Sequence, residues 1–318
     1  MRTMLPLWIT LATSAFLAAP ACADDSQGAQ TTQATEAESS QPTYTLRYKF
    51  HPGETIRWEV LQQSRVRATV SGTTQVTETV TKSVKAWRVT DAKPDGTTTF
   101  EHVVESVDMR NKFSGREEIR YNSQTDEEPA PGYEDVAESI GLPLATVTMN
   151  SQGEILRRQR KPLKAAARNT EGQMTIPLPE EAVPVGHAWS LPYDVEVPLE
   201  NGTVKKVKTL QTFKLQSVKT GVATIEVATK ILTPIHSPVV EAKLIQKEQS
   251  GTVRFDVDAG RVLGQQMDLD RRVVGFTPNN PASSLHYLTR FTETLLSKKP
   301  EEPKVAGLPQ SAGSESRD

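Results

Sequence analysis

The chain has 318 residues and is close to charge neutrality, with 37 Lys and Arg against 39 Asp and Glu. This balance argues against nucleic acid as a partner, because nucleic-acid-binding proteins carry a basic surface. The single cysteine excludes a disulfide framework within the chain. The fold must therefore be stabilised by the burial of apolar side chains.

The first 23 residues have the pattern of a secretory signal peptide. Arg2 precedes an apolar run over residues 5–17, and small residues follow at 18–23. A positive start, a short apolar core and an A-x-A end are typical of such signals, and the run is short for a membrane span. We therefore predict an exported protein, either periplasmic or extracellular.

Two cleavage sites are compatible with this signal. Cleavage after Ala23 would follow an A-x-A pattern and would remove Cys22, the only cysteine. Cleavage before Cys22 would leave it as a candidate lipidation site and would anchor the protein to a membrane. Pro20 is unusual in a lipoprotein signal, so the sequence favours the first alternative.

Composition divides the rest of the chain into four segments. Residues 24–42 and 298–318 are rich in polar, acidic, Pro and Gly residues. Such segments cannot bury enough apolar surface to offset their ordering entropy, so we predict a disordered spacer and a disordered tail. Between them we predict a first β unit over 43–175 and a second over 176–297.

The predicted strands follow from alternation and turn signals. Residues 43–50 alternate and place Tyr44, Leu46, Tyr48 and Phe50 on one face, which predicts a strand. Long Thr- and Val-rich runs follow, and a change of alternation before Trp87 predicts a β-bulge. Residues 285–296 fit a helix or a strand, and their threonines favour a strand.

These patterns predict an all-β, mainly antiparallel fold with two curled sheet units, or open half-barrels, and little helix. Gly186 and Trp189 echo Gly53 and Trp58, and a turn at Gly260 echoes one at Gly153. An internal repeat and the regular strand spacing of an ordinary β-meander explain this similarity equally well. An acidic insertion near 114–138 is predicted to be a solvated loop of the first unit.

No catalytic motif is evident in the sequence. It contains no phosphate-binding loop, no His-Glu-x-x-His and no Gly-x-Ser-x-Gly, and its five histidines are scattered singly. We therefore predict no catalytic residue, no metal site and no cofactor.

Two groups of residues are candidates for binding. One could line a ligand cavity, although such residues are more often ordinary core: Trp58, Trp87 and Trp189. The other is a basic stretch that could contact an anionic partner or simply block strand pairing at a sheet edge: Arg157, Arg158, Arg160 and Lys161.

The segment Leu178-Pro-Glu-Glu-Ala-Val-Pro-Val-Gly-His-Ala-Trp189 resembles the Pro-Val-x-Val-Gly-x-x-Trp element of a family of bacterial exported β-rich domains of unknown function. The opening segment Leu46-Arg-Tyr-Lys-Phe-His-Pro-Gly-Glu54 is similar to the start of that family. His187 departs from its pattern, where an acidic residue is usual. The two-unit plan is also distantly similar to periplasmic lipoprotein carriers, in architecture only.

Together these observations predict an exported, non-catalytic binding or interaction module of the cell envelope, with an apolar or lipid-like ligand or an envelope protein as partner. The alternative is a structural scaffold domain that meets another envelope protein. An unrecognised hydrolase is the least favoured function, because it requires a cleft of converging Asp, Glu or His side chains.

Overall fold

A computed structural model describes residues 41–161, 174–199 and 202–296. The predicted signal peptide, Cys22, nearly all of the predicted spacer and the predicted tail lie outside the described residues. The described parts of both predicted β units belong to one compact unit.

The prediction of an all-β antiparallel fold with little helix is confirmed. The described strands are β1 Thr43–Tyr44, β2 Thr55–Val70, β3 Thr73–Ala92, β4 Thr98–Phe113, β5 Ile119–Asn122, β6 Pro143–Met149, β7 Ile155–Arg160, β8 Val183–Pro184, β9 Ala188–Pro198, β10 Val204–Lys219, β11 Val222–Ile231, β12 Ser250–Asp256, β13 Arg261–Val274 and β14 Ser284–Leu295. The described helices are α1 Glu134–Ser139, α2 Pro238–Leu244 and a single 3₁₀ turn, Ile245–Lys247. The ambiguous segment 285–296 is a strand, as its threonines predicted.

Twelve strands form one antiparallel sheet that contains strands of both predicted units. The order across it is β7-β6-β4-β3-β2-β14-β13-β12-β11-β10-β9, and β5 pairs with β4 beside this path. The last described strand, β14, lies between β2 and β13 and joins the two halves. A separate pair, β1 with β8, connects the segments that precede β2 and β9.

The predicted bulge before Trp87 does not lie in β3, which pairs with β2 in an unbroken register up to Arg88. The pairing of β3 with β4 shifts register between Val84 and Lys85. The extra residue there is Glu105 of β4. Because directly paired residues share a face of a sheet, the unbroken pairing of β2 with β3 places Lys85 and Trp87 on the face that carries Trp58. We call this the inner face, and the opposite one the outer face.

The predicted strand over residues 43–50 is wrong beyond Tyr44. The backbone N–H of Tyr48 donates to Ser151 O (2.7 Å), and that of Lys49 donates to Gly260 O (3.0 Å). These acceptors lie in turns at the ends of β6 and β12, so the segment crosses between the halves instead of pairing along a strand. The predicted alternation of burial is nevertheless correct, because Leu46, Tyr48 and Phe50 are all buried.

The main core lies between this crossing segment and the inner face. Its cluster includes Trp58 and Phe100 from the first half and Phe213 and Phe255 from the second. Tyr48 joins the two, since its ring meets Phe255 edge-on at 5.4 Å between centroids. The crossing segment is therefore part of the apolar interior that both halves share.

The two halves make one similar backbone contact where each begins. Gly53 donates its N–H to Val89 O (2.9 Å), and Gly186 donates its N–H to Leu215 O (2.7 Å). Gly53 precedes β2, and Gly186 precedes β9. This likeness agrees with the echo in the sequence, and the internal repeat stays a prediction.

The acidic insertion is not only a solvated loop, which corrects the prediction. Its residues 119–122 form β5 and its residues 134–139 form α1. Tyr121 and Tyr133 are buried with Val107 of β4, and Asn111 donates to the Tyr133 hydroxyl at 2.8 Å. The many acidic residues of the segment led to the prediction of a loop, although its two tyrosines form a small apolar core with β4.

Candidate functional site

Two structures cover the inner face, one in each half. In the first half, the insertion packs on Val107 of β4. In the second half, Val240 and Leu244 of α2 pack on Val197 of β9 and Val207 of β10. The register places these strand residues on the inner face, so both coverings lie on the same side of the sheet.

Between the two coverings, the inner face of strands β3, β2, β14 and β13 carries many half-buried side chains, whereas Leu269, Val273 and Thr289 are buried and Gln62 is exposed. We call this surface the central patch. Their register places its principal members on the inner face, where apolar side chains lie beside a small hydroxyl. They are Val60, Val66, Thr81, Met267, Tyr287 and Phe291.

The outer face of the same four strands is charged. Arg65 of β2 pairs with Glu78 of β3 at 3.4 Å, and Arg290 of β14 pairs with Asp268 of β13 at 2.7 Å. The Arg290 guanidinium lowers the pKa of Asp268 by hydrogen bonding to it. Apolar side chains also lie on this face, namely half-buried Leu61 and Val80 and exposed Leu288, so the two faces differ in their ion pairs more than in apolar content.

A buried polar cluster lies where the central patch meets the core. Lys85 Nζ is 2.7 Å from Glu293 Oε2, and only 15% and 3% of these side chains are exposed. Gln265 Nε2 donates to the same oxygen at 3.0 Å. Lys85 Nζ also lies 5.1 Å from the ring centroid of Trp58 and 5.6 Å from that of Trp87, which adds cation–π attraction.

His102 adjoins this cluster. It pairs with Trp87 across β3 and β4, is 8% exposed, and its Nδ1 has no hydrogen-bond partner. Burial, followed by the charges of Lys85 and Arg158, lowers its pKa from 6.5 to about 4. The Nε1 of Trp87 is likewise buried without a partner. Two directly paired residues thus hold unused hydrogen-bonding atoms beside a buried ammonium group.

The lowered pKa of His102 predicts a pH dependence of stability. Its folded-state pKa lies below its unfolded value, so the unfolded state takes up the proton first as the pH falls. The contribution of His102 to the free energy of unfolding is therefore fully present above about pH 6.5 and is lost as the pH falls towards about 4. The full loss corresponds to about 3 kcal/mol. Urea unfolding across this range should show a flatter profile for His102→Gln than for the wild type. An unchanged slope would contradict the prediction, and His51→Gln, at an exposed position, is the control.

The three predicted tryptophans occupy two different environments. Trp58 and Trp87 are buried in the core, with ring centroids 4.8 Å apart. Trp189 is half-buried, stacks on Phe213 at 5.7 Å and donates its Nε1 hydrogen to Pro177 O at 2.7 Å. Trp58 and Trp87 therefore lie beneath Lys85, and Trp189 is remote in the strand order.

The predicted basic stretch lies on β7, at one end of the sheet order. The register places Arg158 and Arg160 on the inner face and Arg157 on the outer face. Lys161 follows the strand and donates its backbone N–H to Leu144 O at 3.0 Å. Strand alternation thus divides the basic stretch between two surfaces.

Among the described residues, no group of three or more His, Cys, Asp or Glu side chains could hold a metal ion. Within the same residues, the helices are too short and too polar to cross a membrane.

No protein-family model matches the chain, and no curated protein matches it. One similar solved structure, described as lipid–protein interactions in lipovitellin, is 13% identical with a TM-score of 0.43. The alignment covers 78% of this chain but 26% of lipovitellin, so the chain spans about a quarter of that protein. Another, a DUF1329 family protein from Desulfovibrio piger, is 10% identical over 73% of this chain and 83% of that chain, with a TM-score of 0.15.

Proposed function

We propose that the protein binds an apolar, lipid-like ligand on the central patch. The observation that carries this proposal is the position of the half-buried apolar side chains of the central patch. Val60, Val66 and Phe291 lie on the inner face, on the same side of the sheet as the two packed coverings. A ligand chain laid there would remove this apolar surface from water, which is worth about 25 cal/mol per Å².

We further propose that binding takes place outside the cytoplasm. The support is the signal-peptide pattern of residues 1–23 and the resemblance of the segments around Gly53 and Gly186 to exported bacterial domains. A role as a non-catalytic binding module of the envelope follows from these two proposals.

A pair of variants on one strand tests the ligand proposal. Val66→Glu places a carboxylate on the central patch, and Leu61→Glu places one on the outer face of the same strand; both positions are half-buried. A charge beside an alkyl chain is poorly solvated, so Val66→Glu should weaken binding of the neutral fluorescent probe N-phenyl-1-naphthylamine by about tenfold or more. Leu61→Glu should change it by less than about twofold.

Fluorescence titration provides the measurement, and circular dichroism verifies that both variants fold. Displacement of the probe by dodecanoate confirms that an alkyl chain competes for the same surface. The proposal fails if the wild type binds neither molecule, or if both variants weaken binding equally.

A further inference from the structure

We infer that three neighbouring turns at one end of the sheet dock on the surface of an anionic lipid bilayer. We call these turns, residues 71–72, 114–118 and 275–283, the turn tip. Docking would place one end of the central patch against the source of its ligand, and this consequence rests on the proposed function. The docking itself is a separate property, which can be measured without a ligand.

Hydrogen bonds hold the three turns of the turn tip near one another. Asn280 Nδ2 in the third turn donates to Ser71 Oγ in the first turn at 3.2 Å. Ser114 in the second turn donates its backbone N–H to Val76 O of β3 at 2.9 Å, and its hydroxyl oxygen accepts from the Val76 N–H at 2.7 Å. The turns join strands that lie side by side in the order β5-β4-β3-β2-β14-β13. Residues distant in sequence therefore form one surface at this end of the sheet.

Large apolar side chains are exposed where the strands meet these turns. They come from the ends of β2, β4, β5 and β13 and are 36–56% exposed: Val70, Phe113, Ile119 and Val274. A group of exposed apolar side chains marks a surface that contacts a membrane or another protein. The charges around the turn tip decide between these partners.

The residues around the turn tip are basic, although the whole chain has a formal net charge of −2. Within five residues of the three turns, the sequence contains seven Lys and Arg but three Asp and Glu. Around the turns at the opposite end of the sheet, residues 93–97, 150–154 and 257–260, the same count gives six of each. The excess of positive charge therefore belongs to the turn tip and not to the ends of the strands in general.

Most of this positive charge is not neutralised by neighbouring carboxylates. Ion pairs involve three of the seven basic residues and two of the three acidic ones, which leaves Glu117. The other four basic residues form no ion pair with a described residue, and all four are exposed: Arg67, Lys112, Arg116 and Arg272. Anionic head groups attract basic side chains, and the bilayer beneath them accepts apolar ones. An anionic bilayer therefore uses both features of the turn tip.

The turn tip also adjoins the central patch. Val70, Ala68 and Val66 alternate along β2 and so share its inner face. Val66 belongs to the central patch, so small apolar side chains continue from the exposed end of the strand to the proposed binding surface. At the opposite end of the sheet, the crossing segment covers the inner face with Tyr48 and its neighbours. A ligand from the bilayer would therefore reach the central patch along β2.

Sedimentation of the wild-type protein with lipid vesicles tests the docking. At low ionic strength we expect phosphatidylglycerol vesicles to be bound about tenfold or more tightly than phosphatidylcholine vesicles, because only the former carry a net negative charge. Added salt should reduce this preference. Equal binding to both vesicles, or no binding to phosphatidylglycerol vesicles, would overturn the inference.

Charge reversal at the two ends of the sheet locates the electrostatic contribution. Lys112→Glu with Arg116→Glu should weaken binding to phosphatidylglycerol vesicles by about tenfold or more. The matched control is Lys93→Glu with Arg254→Glu, which makes the same change in net charge at exposed positions near the opposite end. The control should change the affinity by less than about threefold. If both pairs weaken binding equally, the net charge of the protein and not the turn tip drives its binding.

A second pair of variants measures the apolar contribution. Phe113→Ser with Val274→Ser removes side chains that are 38% and 56% exposed at the turn tip. Binding to phosphatidylglycerol vesicles should weaken by about fivefold, and this loss should persist at high salt because it does not depend on charge. Val185→Ser with Leu156→Ser alters side chains that are 40% and 54% exposed elsewhere and should have no effect. Equal effects of the two pairs would contradict insertion of the turn tip.

Binding of N-phenyl-1-naphthylamine in the absence of vesicles separates docking from the proposed function. The substitutions at the turn tip lie outside the central patch, so these variants should bind the probe within about twofold of the wild type, which also verifies that they fold. A wild type that binds the probe but not the vesicles would overturn the docking and leave the proposed function intact. A wild type that binds the vesicles but not the probe would overturn the proposed function and leave the docking intact.

Discussion

Replacement of Lys85 by Met is expected to lower the free energy of unfolding by about 3–5 kcal/mol, because it leaves Glu293 buried without its cation. The Glu293 side chain is only 3% exposed, so water cannot replace the lost ammonium group. Gln265 would remain as a donor, and one neutral hydrogen bond offsets only part of the desolvation of a carboxylate. The cation–π contacts with Trp58 and Trp87 would be lost as well.

Chemical denaturation of Lys85→Met and Lys82→Met compares the loss of a buried ion pair with the loss of an exposed one. Lys82 pairs with Glu59 on the outer face, where the two side chains are 52% and 40% exposed, so its loss should change stability by less than about 1 kcal/mol. Lys85→Met combined with Glu293→Met should recover most of the stability, since no unpaired charge remains. A loss for Lys85→Met no larger than that for Lys82→Met would show that the pair is solvated.

Replacement of Gly153 by Ala is expected to lower the free energy of unfolding by about 2–4 kcal/mol. Gly153 has φ of +83°, a conformation that disfavours any side chain. A Cβ atom there would lie 2.5 Å from Cε2 of Tyr48 and 2.7 Å from the carbonyl oxygen of Ile176. The Tyr48 ring and the Ile176 backbone would both have to move, and Tyr48 is a buried member of the core that both halves share.

Gly72→Ala is a matched control for the backbone contribution. Its φ of +79° is nearly the same, and a Cβ atom there would meet nothing within 4 Å. This variant should lose only the conformational contribution, about 1–2 kcal/mol. Thermal unfolding followed by circular dichroism would measure both variants. If the two variants lost the same free energy of unfolding, the segment that contains Tyr48 would be able to move without cost, contrary to its packing in the core.

The sequence predicts the local features of this fold well. Threonine content identified the strand 284–295, since β-branched side chains favour strands. The change of alternation before Trp87 was interpreted as a bulge in β3, whereas the extra residue is Glu105 of the neighbouring strand β4. The crossing segment was predicted as a strand because alternation reports burial but not the partner of each backbone N–H. Composition was misleading at the insertion, where acidic residues surround Tyr121 and Tyr133.

The candidate site was predicted only in part. Trp58 and Trp87 were singled out as cavity candidates, and the structure places both in the core beneath Lys85. Lys85 and Glu293 are 208 positions apart, so no short pattern joins them. A lysine two residues before Trp87 on the same strand face was a weak signal, which gains meaning only when β14 is known to lie beside β2.

The position of β14 also determines the order in which the protein can fold. β2 is the first long strand to be synthesised, yet one of its edges is paired by the last described strand. Contacts that span most of a chain close slowly, and an unpaired strand edge promotes aggregation until its partner arrives. A chain with this topology completes its central sheet only after synthesis of residues 284–295. Until then, one edge of β2 has no partner strand and can pair with strands of other chains.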